Sequence, residues 1–178
     1  MSWLIDNFRL FNKKKAVSDY QKEYKYSDII KQIDEYSNLL NRYILQGDVV
    51  AIVSDYNFYS IALFLALLKK KCIIVPIVSK ITKDIKQKAK IAHVKKTINI
   101  NLKGKLSINE FNVNHENKLV TKLFKQGNAG LILFSSGSTG QPKAMIHNLD
   151  NFIESFKGRK SRSLNILVFL LFDHIGGL

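Results

Sequence analysis

Two short, almost uninterrupted apolar runs bracket a helix-length segment that is apolar nearly all round, and few folds accommodate that order. Residues 48–54, Asp48-Val49-Val50-Ala51-Ile52-Val53-Ser54, have the length and β-branched content of a strand buried on both faces. In residues 57–71 the apolar character runs from Ile61 to Leu68, which predicts a helix packed deeply against a sheet. Residues 72–78, Cys72-Ile73-Ile74-Val75-Pro76-Ile77-Val78, read as a second strand, with Pro76 marking an edge or a strand end. Strand, helix, strand in that order is a crossover unit with a parallel pair. The fold class predicted is therefore α/β, a mostly parallel sheet flanked by helices.

The rest of the chain fits around that unit. Ile29, Ile30, Ile33, Tyr36, Leu40, Tyr43 and Ile44 recur at helical spacing, with Ser27 as the expected N-cap and Gly47 as the expected stop. Residues 82–93 read as an amphipathic helix and residues 96–100 as a short strand, while residues 102–128 are polar and are expected to form a surface excursion. A strand is expected at 131–134, and a helix over 148–156 capped by Asn148 or Asp150. An apolar strand over 164–172 should then deliver Asp173 and His174 to its carboxyl end. Residues 1–24 read as an irregular or loosely helical lead-in, 25–100 as the crossover region and 129–178 as a loop hairpin, helix and second-strand region, with no repeat or Pro/Ser-rich linker between them.

Charge narrows the function classes. Lys and Arg number 28 against 14 acidic residues, a formal charge of +14 over 178 residues. The lysines are scattered, no aromatic residues are interleaved for stacking, and no nucleic-acid module signature appears, so a solvated Lys-rich surface is favoured over a polyanion site. The longest apolar runs fall well short of the roughly 20 residues a membrane helix needs. Trp3-Leu4-Ile5 is broken at once by Asp6 and Asn7, unlike a secretory signal, and the single cysteine, Cys72, cannot form an intrachain disulfide. A cytoplasmic protein without stable membrane insertion is expected.

The chemistry concentrates in Ser135-Ser136-Gly137-Ser138-Thr139-Gly140-Gln141-Pro142-Lys143, which follows the apolar run Leu131-Ile132-Leu133-Phe134. Small residues let the backbone approach an anion closely, their N–H groups and hydroxyls can converge on it, and Lys143 supplies the counter-charge. This is not a Walker A loop: Gln141 and Pro142 separate Gly140 from the lysine, and no Ser or Thr follows it. Ala144-Met145-Ile146-His147 reads as a returning strand, so the loop is expected at the tip of a hairpin, exposed and mobile without nucleotide.

The nine residues resemble, nearly position for position, the phosphate-binding signature of the adenylate-forming superfamily, which includes acyl-CoA and aryl-CoA ligases, luciferases and peptide-synthetase adenylation domains. Ala144 departs from the glycine usual there. The order of Gly47-Asp48-Val49-Val50-Ala51-Ile52, a helix and a Val75-Pro76 step is similar to the N-terminal half of acyl-CoA ligases. The resemblance implies that the chain is part of the large N-terminal domain of such an enzyme. It implies ATP and Mg²⁺ as cofactors, a small-molecule carboxylate as substrate and coenzyme A as co-substrate. It assigns Ser135, Ser136, Gly137, Ser138, Thr139, Gly140 and Lys143 to the phosphates, with Thr139 also near Mg²⁺, and makes Lys143 catalytic.

Asp173-His174-Ile175-Gly176-Gly177 is the second cluster. A strand ending in a His-x-x-Gly-like motif is similar to that of acyl- and aryl-CoA ligases, which implies that His174 is catalytic and lines the carboxylate pocket near the reacting carbon, with Asp173 and Gly176 beside it as substrate-binding residues. Phe172-Asp173 also resembles the pair in amino-acid-activating adenylation domains, where the aspartate holds the substrate's amino group, so amino-acid activation stays open. His147, His93 and His115 are expected to be structural or on the surface, and no structural metal is indicated. The family's later adenine, ribose and metal segments and its lid lysine are not in the sequence, so the isolated chain is expected to be inactive. A partner chain carrying the remainder, a non-catalytic nucleotide-binding remnant and a basic nucleic-acid-binding protein are the alternatives.

Overall fold

In the computed structural model, which describes residues 2–19, 22–111, 117–136, 141–160, 164–174 and 176, the N-terminal stretch is regular where the sequence reads as irregular. Helix α1 (Ser2–Leu10) is followed by strands β1 (Lys15–Asp19) and β2 (Lys22–Lys25), paired antiparallel as a separate two-stranded ladder. The largely polar ladder is held to α3 by the Tyr24 ring, which stacks on Phe58 with centroids 3.7 Å apart, and by Asp19, whose carboxylate accepts the Phe58 N–H at 2.9 Å. Helix α2 (Tyr26–Leu40) buries Ile29, Ile33, Tyr36 and Leu40, the face the periodicity predicts. Its first turn is closed by Asp28, whose carboxylate accepts the Lys25 N–H at 2.7 Å, and not by Ser27, which lies inside the turn.

The helix stops at Leu40, before Gly47. Gly47 instead forms the turn into the sheet at φ +80°, its N–H donating to the Lys71 carbonyl at 3.1 Å. A Cβ there would lie 2.1 Å from the Phe124 ring. Gly47→Ala is therefore expected to cost about 1–2 kcal/mol for the left-handed backbone alone, with the displaced ring in addition, measured as a lower urea midpoint at unchanged slope.

The main sheet then assembles as expected. Strand β3 (Val49–Val53), helix α3 (Phe58–Lys69), strand β4 (Ile73–Ile77), helix α4 (Thr82–Ile91) and strand β5 (Lys96–Ile100) make two crossovers. Strand β6 (Leu106–Glu110), helix α5 (Lys118–Lys125), the hairpin of β7 (Gly130–Ser136) and β8 (Pro142–Asn148), and helix α6 (Leu149–Glu154) complete the described elements. The strand order is β6-β5-β3-β4-β7-β8; the central four are parallel, and β6 and β8 close the edges antiparallel. Residues 102–128 thus hold an edge strand and a helix rather than a plain excursion. The ladder of β6 on β5 organises one part, and the Asn117 side chain caps α5, whose Val120 and Leu123 pack against the core.

Alternation along the strands separates two cores. Val50, Ile52, Ile74, Leu131 and Leu133 face α2 and α3, whereas Val49, Ala51, Ile73, Val75, Ile77 and Ile132 face α4 and α5. Asn57 caps α3: its Oδ1 accepts the Ser60 N–H at 2.9 Å while the Ser60 hydroxyl accepts the Asn57 N–H at 2.9 Å. Pro76 lies inside the sheet, opposite Ile52, and not at an edge. The Ile73 N–H donates to Asp48 across the β3 side, so by alternation Pro76 faces the β7 side; β7 pairs with β4 only at Ile73 and Ile74 and has parted before the missing N–H is needed.

Cys72 is fully buried, and burial, with Asp48 next in weight, pushes its thiol up to about 12. The native state therefore keeps the proton that an unfolded thiol gives up above about 9. This contribution to stability is present below pH 9 and is lost as pH rises from about 9 to about 12. At pH 8 a disulfide reagent is expected to modify Cys72 only as fast as the fold opens; immediate stoichiometric reaction would contradict this burial.

Candidate active site at the carboxyl edge of the sheet

The parallel strands β3, β4, β5 and β7 all end on one edge, and the predicted chemistry gathers there. The loop does sit on a hairpin: Ser135 lies opposite Lys143 and Ser136 opposite Pro142, continuing a register that pairs Phe134 with Ala144. Lys143 is exposed and Ser135 half-buried. Gln141, at the root of β8, accepts a hydrogen bond from the Gln87 amide of α4 at 2.6 Å, which ties the hairpin to the helix layer. Gly137, Ser138, Thr139 and Gly140, with the mobility and phosphate contacts expected of them, lie outside the described residues.

The edge has a topological switch point. From β3 the chain leaves toward the α3 layer, and from the neighbouring β4 it leaves toward the α4 layer, so their carboxyl ends flank a crevice of the kind where open α/β sheets bind ligands. Residues 172–174 lie across it. Phe172 is 1 % exposed, its ring 4.8 Å from Tyr56 and 5.7 Å from Phe64, and its N–H donates to Asp55 Oδ1 at 3.2 Å. Burial, with the Asp55 carboxylate beside it, pushes the Tyr56 phenol up to about 12, so it remains a neutral group against the Phe172 ring. Asp173 Oδ2 accepts the Val78 N–H at 3.2 Å just past β4. His174 is exposed, and its Nδ1 accepts the Gly176 N–H at 3.1 Å, which leaves Nε2 to carry the proton of the neutral ring.

The strand expected over 164–172 is not formed. Residues 164–170 have no regular structure, and Ile166, Leu167 and Phe169 are 77, 84 and 82 % exposed. An apolar run becomes a strand only where a neighbour pairs its N–H and C=O groups, and among the described residues none lies beside it. Asp173 and His174 nevertheless reach the carboxyl edge, held by Phe172 and by the Val78 hydrogen bond rather than by a ladder.

One residue that the sequence does not single out joins these parts. Lys88 of α4 places its ammonium 3.3 Å from Asp84 Oδ2, 3.7 Å from Asp173 Oδ2 and 5.8 Å from the centre of the Phe134 ring, at the root of the β7–β8 hairpin. The one sequence-level signal was the Asp84/Lys88 spacing of a helical ion pair. Of the other histidines, His147 pairs with Leu131 toward the far end of β8, and His93 is half-buried at φ +54° after α4, less exposed than its Lys-rich surroundings imply. His147 Nε2 and His93 Nδ1 are buried with no hydrogen-bond partner, and His115 is outside the described residues. Among the described residues no group of three His, Cys, Asp or Glu side chains could hold a metal ion, and no helix is long and apolar enough to cross a membrane.

Comparison with known proteins agrees with this architecture. The chain is similar to the N-terminal subdomain of NpsA from Klebsiella oxytoca, solved in complex with 3-hydroxyanthranilyl-AMSN, at 25 % identity and a TM-score of 0.62 over 80 % of this chain and 39 % of that one. It is also similar to the inhibitor-bound N-terminal domain of FACL13 from Mycobacterium tuberculosis, at 16 % identity and a TM-score of 0.60 over 82 % of this chain and 43 % of that one. The chain thus spans about 40 % of the length of the solved structures it matches. No curated protein matches it significantly. The family model described as AMP-binding enzyme matches residues 6–178, and the chain belongs to that family.

Proposed function

We propose that this chain supplies the phosphate-binding and acyl-side parts of an active site that activates a carboxylic acid with ATP. The carboxylate oxygen attacks the α-phosphorus, the bond to the bridging oxygen breaks, and acyl-adenylate and pyrophosphate result; a thiol, coenzyme A in this reading, then displaces AMP. The observation that carries the proposal is the shared edge: the hairpin with Ser135 opposite Lys143 and the residues 172–174 meet where the parallel strands end, bridged by Lys88.

The roles follow from the chemistry of each group. Ser135, Ser136 and the loop residues 137–140 present small side chains and backbone N–H groups to the phosphates, and Lys143 neutralises charge that builds on the departing pyrophosphate. His174, with Nδ1 occupied by Gly176, directs an Nε2 donor toward the acyl group. A Cβ at Gly176 would lie 3.0 Å from Leu170 and 3.4 Å from the His174 ring, so a side chain there would crowd the imidazole. ATP brings Mg²⁺ with it, which would share the neutralisation of the phosphate charge with Lys143.

The test is exchange of labelled pyrophosphate into ATP by an enzyme containing this chain, across a panel of carboxylic acids. Exchange that requires an acid is the expected result. Acid-independent exchange, or release of ADP in place of AMP, would overturn the proposal.

A further inference from the structure

This inference rests on the function just proposed and concerns the class of acid. An acid with an α-ammonium group needs an anionic acceptor in the pocket, because a buried cation without a partner is heavily penalised. Three carboxylates stand at the switch-point rim among the described residues. Asp55 accepts the N–H groups of Tyr56 at 2.7 Å and Phe172 at 3.2 Å. Asp84 pairs with Lys88 at 3.3 Å, and Asp173 accepts the Val78 N–H at 3.2 Å with Lys88 at 3.7 Å.

Lys88 is itself largely enclosed, its side chain 16 % exposed between side chains of Asp84 and Asp173 that are 34 and 17 % exposed. Two of the three rim carboxylates, Asp84 and Asp173, are thus already paired with an ammonium that belongs to the protein, and the third, Asp55, is engaged by the two backbone N–H groups. A substrate ammonium arriving at Asp173 would meet a like charge at short range, in a site partly shielded from water.

We propose that Lys88, acting through Asp173, is a specificity-determining residue that restricts the site to carboxylic acids without an α-amino group. The sequence motif around Asp173 leaves amino-acid activation open; the Lys88 contact closes it. In this role Lys88 is a positioning residue, since it holds Asp173 and does not itself meet the acyl group.

The experiment measures binding of two non-hydrolysable acyl-adenylate analogues, propanoyl-sulfamoyl adenosine and alanyl-sulfamoyl adenosine, which differ only by the α-amino group. Calorimetry on an enzyme that contains this chain is expected to find the propanoyl compound tighter by about tenfold or more, the scale at which an unpaired polar group discriminates. Lys88→Met should shrink that ratio toward one, and Lys88→Arg should keep it. A purely structural loss would weaken both analogues together and leave the ratio unmoved.

Alanyl binding as tight as propanoyl binding in the wild-type chain overturns the substrate class while leaving adenylation intact, and needs no variant to fold. A wild-type preference that Lys88→Met leaves unchanged overturns the assignment to Lys88. Failure of both analogues to bind overturns the adenylate-forming reading itself, and this inference with it.

Discussion

Replacing Lys143 by alanine in an enzyme that contains this chain is expected to slow acyl-adenylate formation by something on the order of 10- to 1000-fold, the range seen when one charged or oxyanion-type donor is lost. Lys143 is exposed on β8, directly opposite Ser135 and three positions after Gly140. A lysine ammonium on a flexible stem is a point charge that can follow the phosphates as pyrophosphate separates, so it contributes more in the transition state than in bound ATP. Formation of thioester from a pre-made acyl-adenylate involves no pyrophosphate and should be far less affected. Equal losses in pyrophosphate exchange and in the thioester step, or no loss in exchange, would reduce Lys143 to a surface lysine.

The second large effect is expected at Phe172. It is the one fully buried side chain of the described residues between 164 and 176, set against Tyr56 and Phe64, and removal of a core phenylalanine ring costs about 3–5 kcal/mol. Because residues 164–170 contribute no ladder, the cost should appear first as release of this segment: amides 172–174 lose hydrogen-exchange protection before α3 and β4 do. Acyl-adenylate analogues should then bind more weakly, since His174 is no longer held at the edge. Phe172→Leu, which refills most of the volume, should restore much of both. A uniform loss of protection across the sheet, with no local step, would contradict the idea that Phe172 is the anchor of an otherwise loose segment.

What was legible in the sequence is what burial writes locally. The α2 stripe of Ile29, Ile33, Tyr36 and Leu40 and the apolar runs of β3, α3 and β4 are buried as their patterns predict, because each element meets a core within one helix face or one strand length. The loop was legible because serines, glycines and a proline flanked by strands specify a hairpin tip almost without context. What stayed hidden depends on partners distant in sequence. Tyr24 stacks on Phe58 and Asp19 accepts the Phe58 N–H to fix the lead-in, β6 forms as a ladder on β5, and Pro76 fits inside the sheet because β7 has already parted from β4.

The run 164–172 shows the same dependence in reverse: its apolar content predicts a strand, yet the pairing that makes one must come from a neighbour. At the site, the loop and the Asp173-His174 step could be named from residues alone. Lys88 could not, because on α4 it is one lysine among many, and its place beside Asp173 and Phe134 arises only when three separate elements converge.

If one ligand spans the β7–β8 hairpin and the switch-point crevice, amide chemical-shift mapping of a non-hydrolysable acyl-adenylate analogue on an enzyme that contains this chain will show shifts concentrated at Ser135, Ser136, Lys143, Val78 and residues 172–174, with the groove of about 540 Å³ lined by Leu39, Arg42, Tyr43, Leu106 and Ile108 left unperturbed. Shifts gathered in that groove between α2 and β6, with the hairpin and His174 silent, would contradict it.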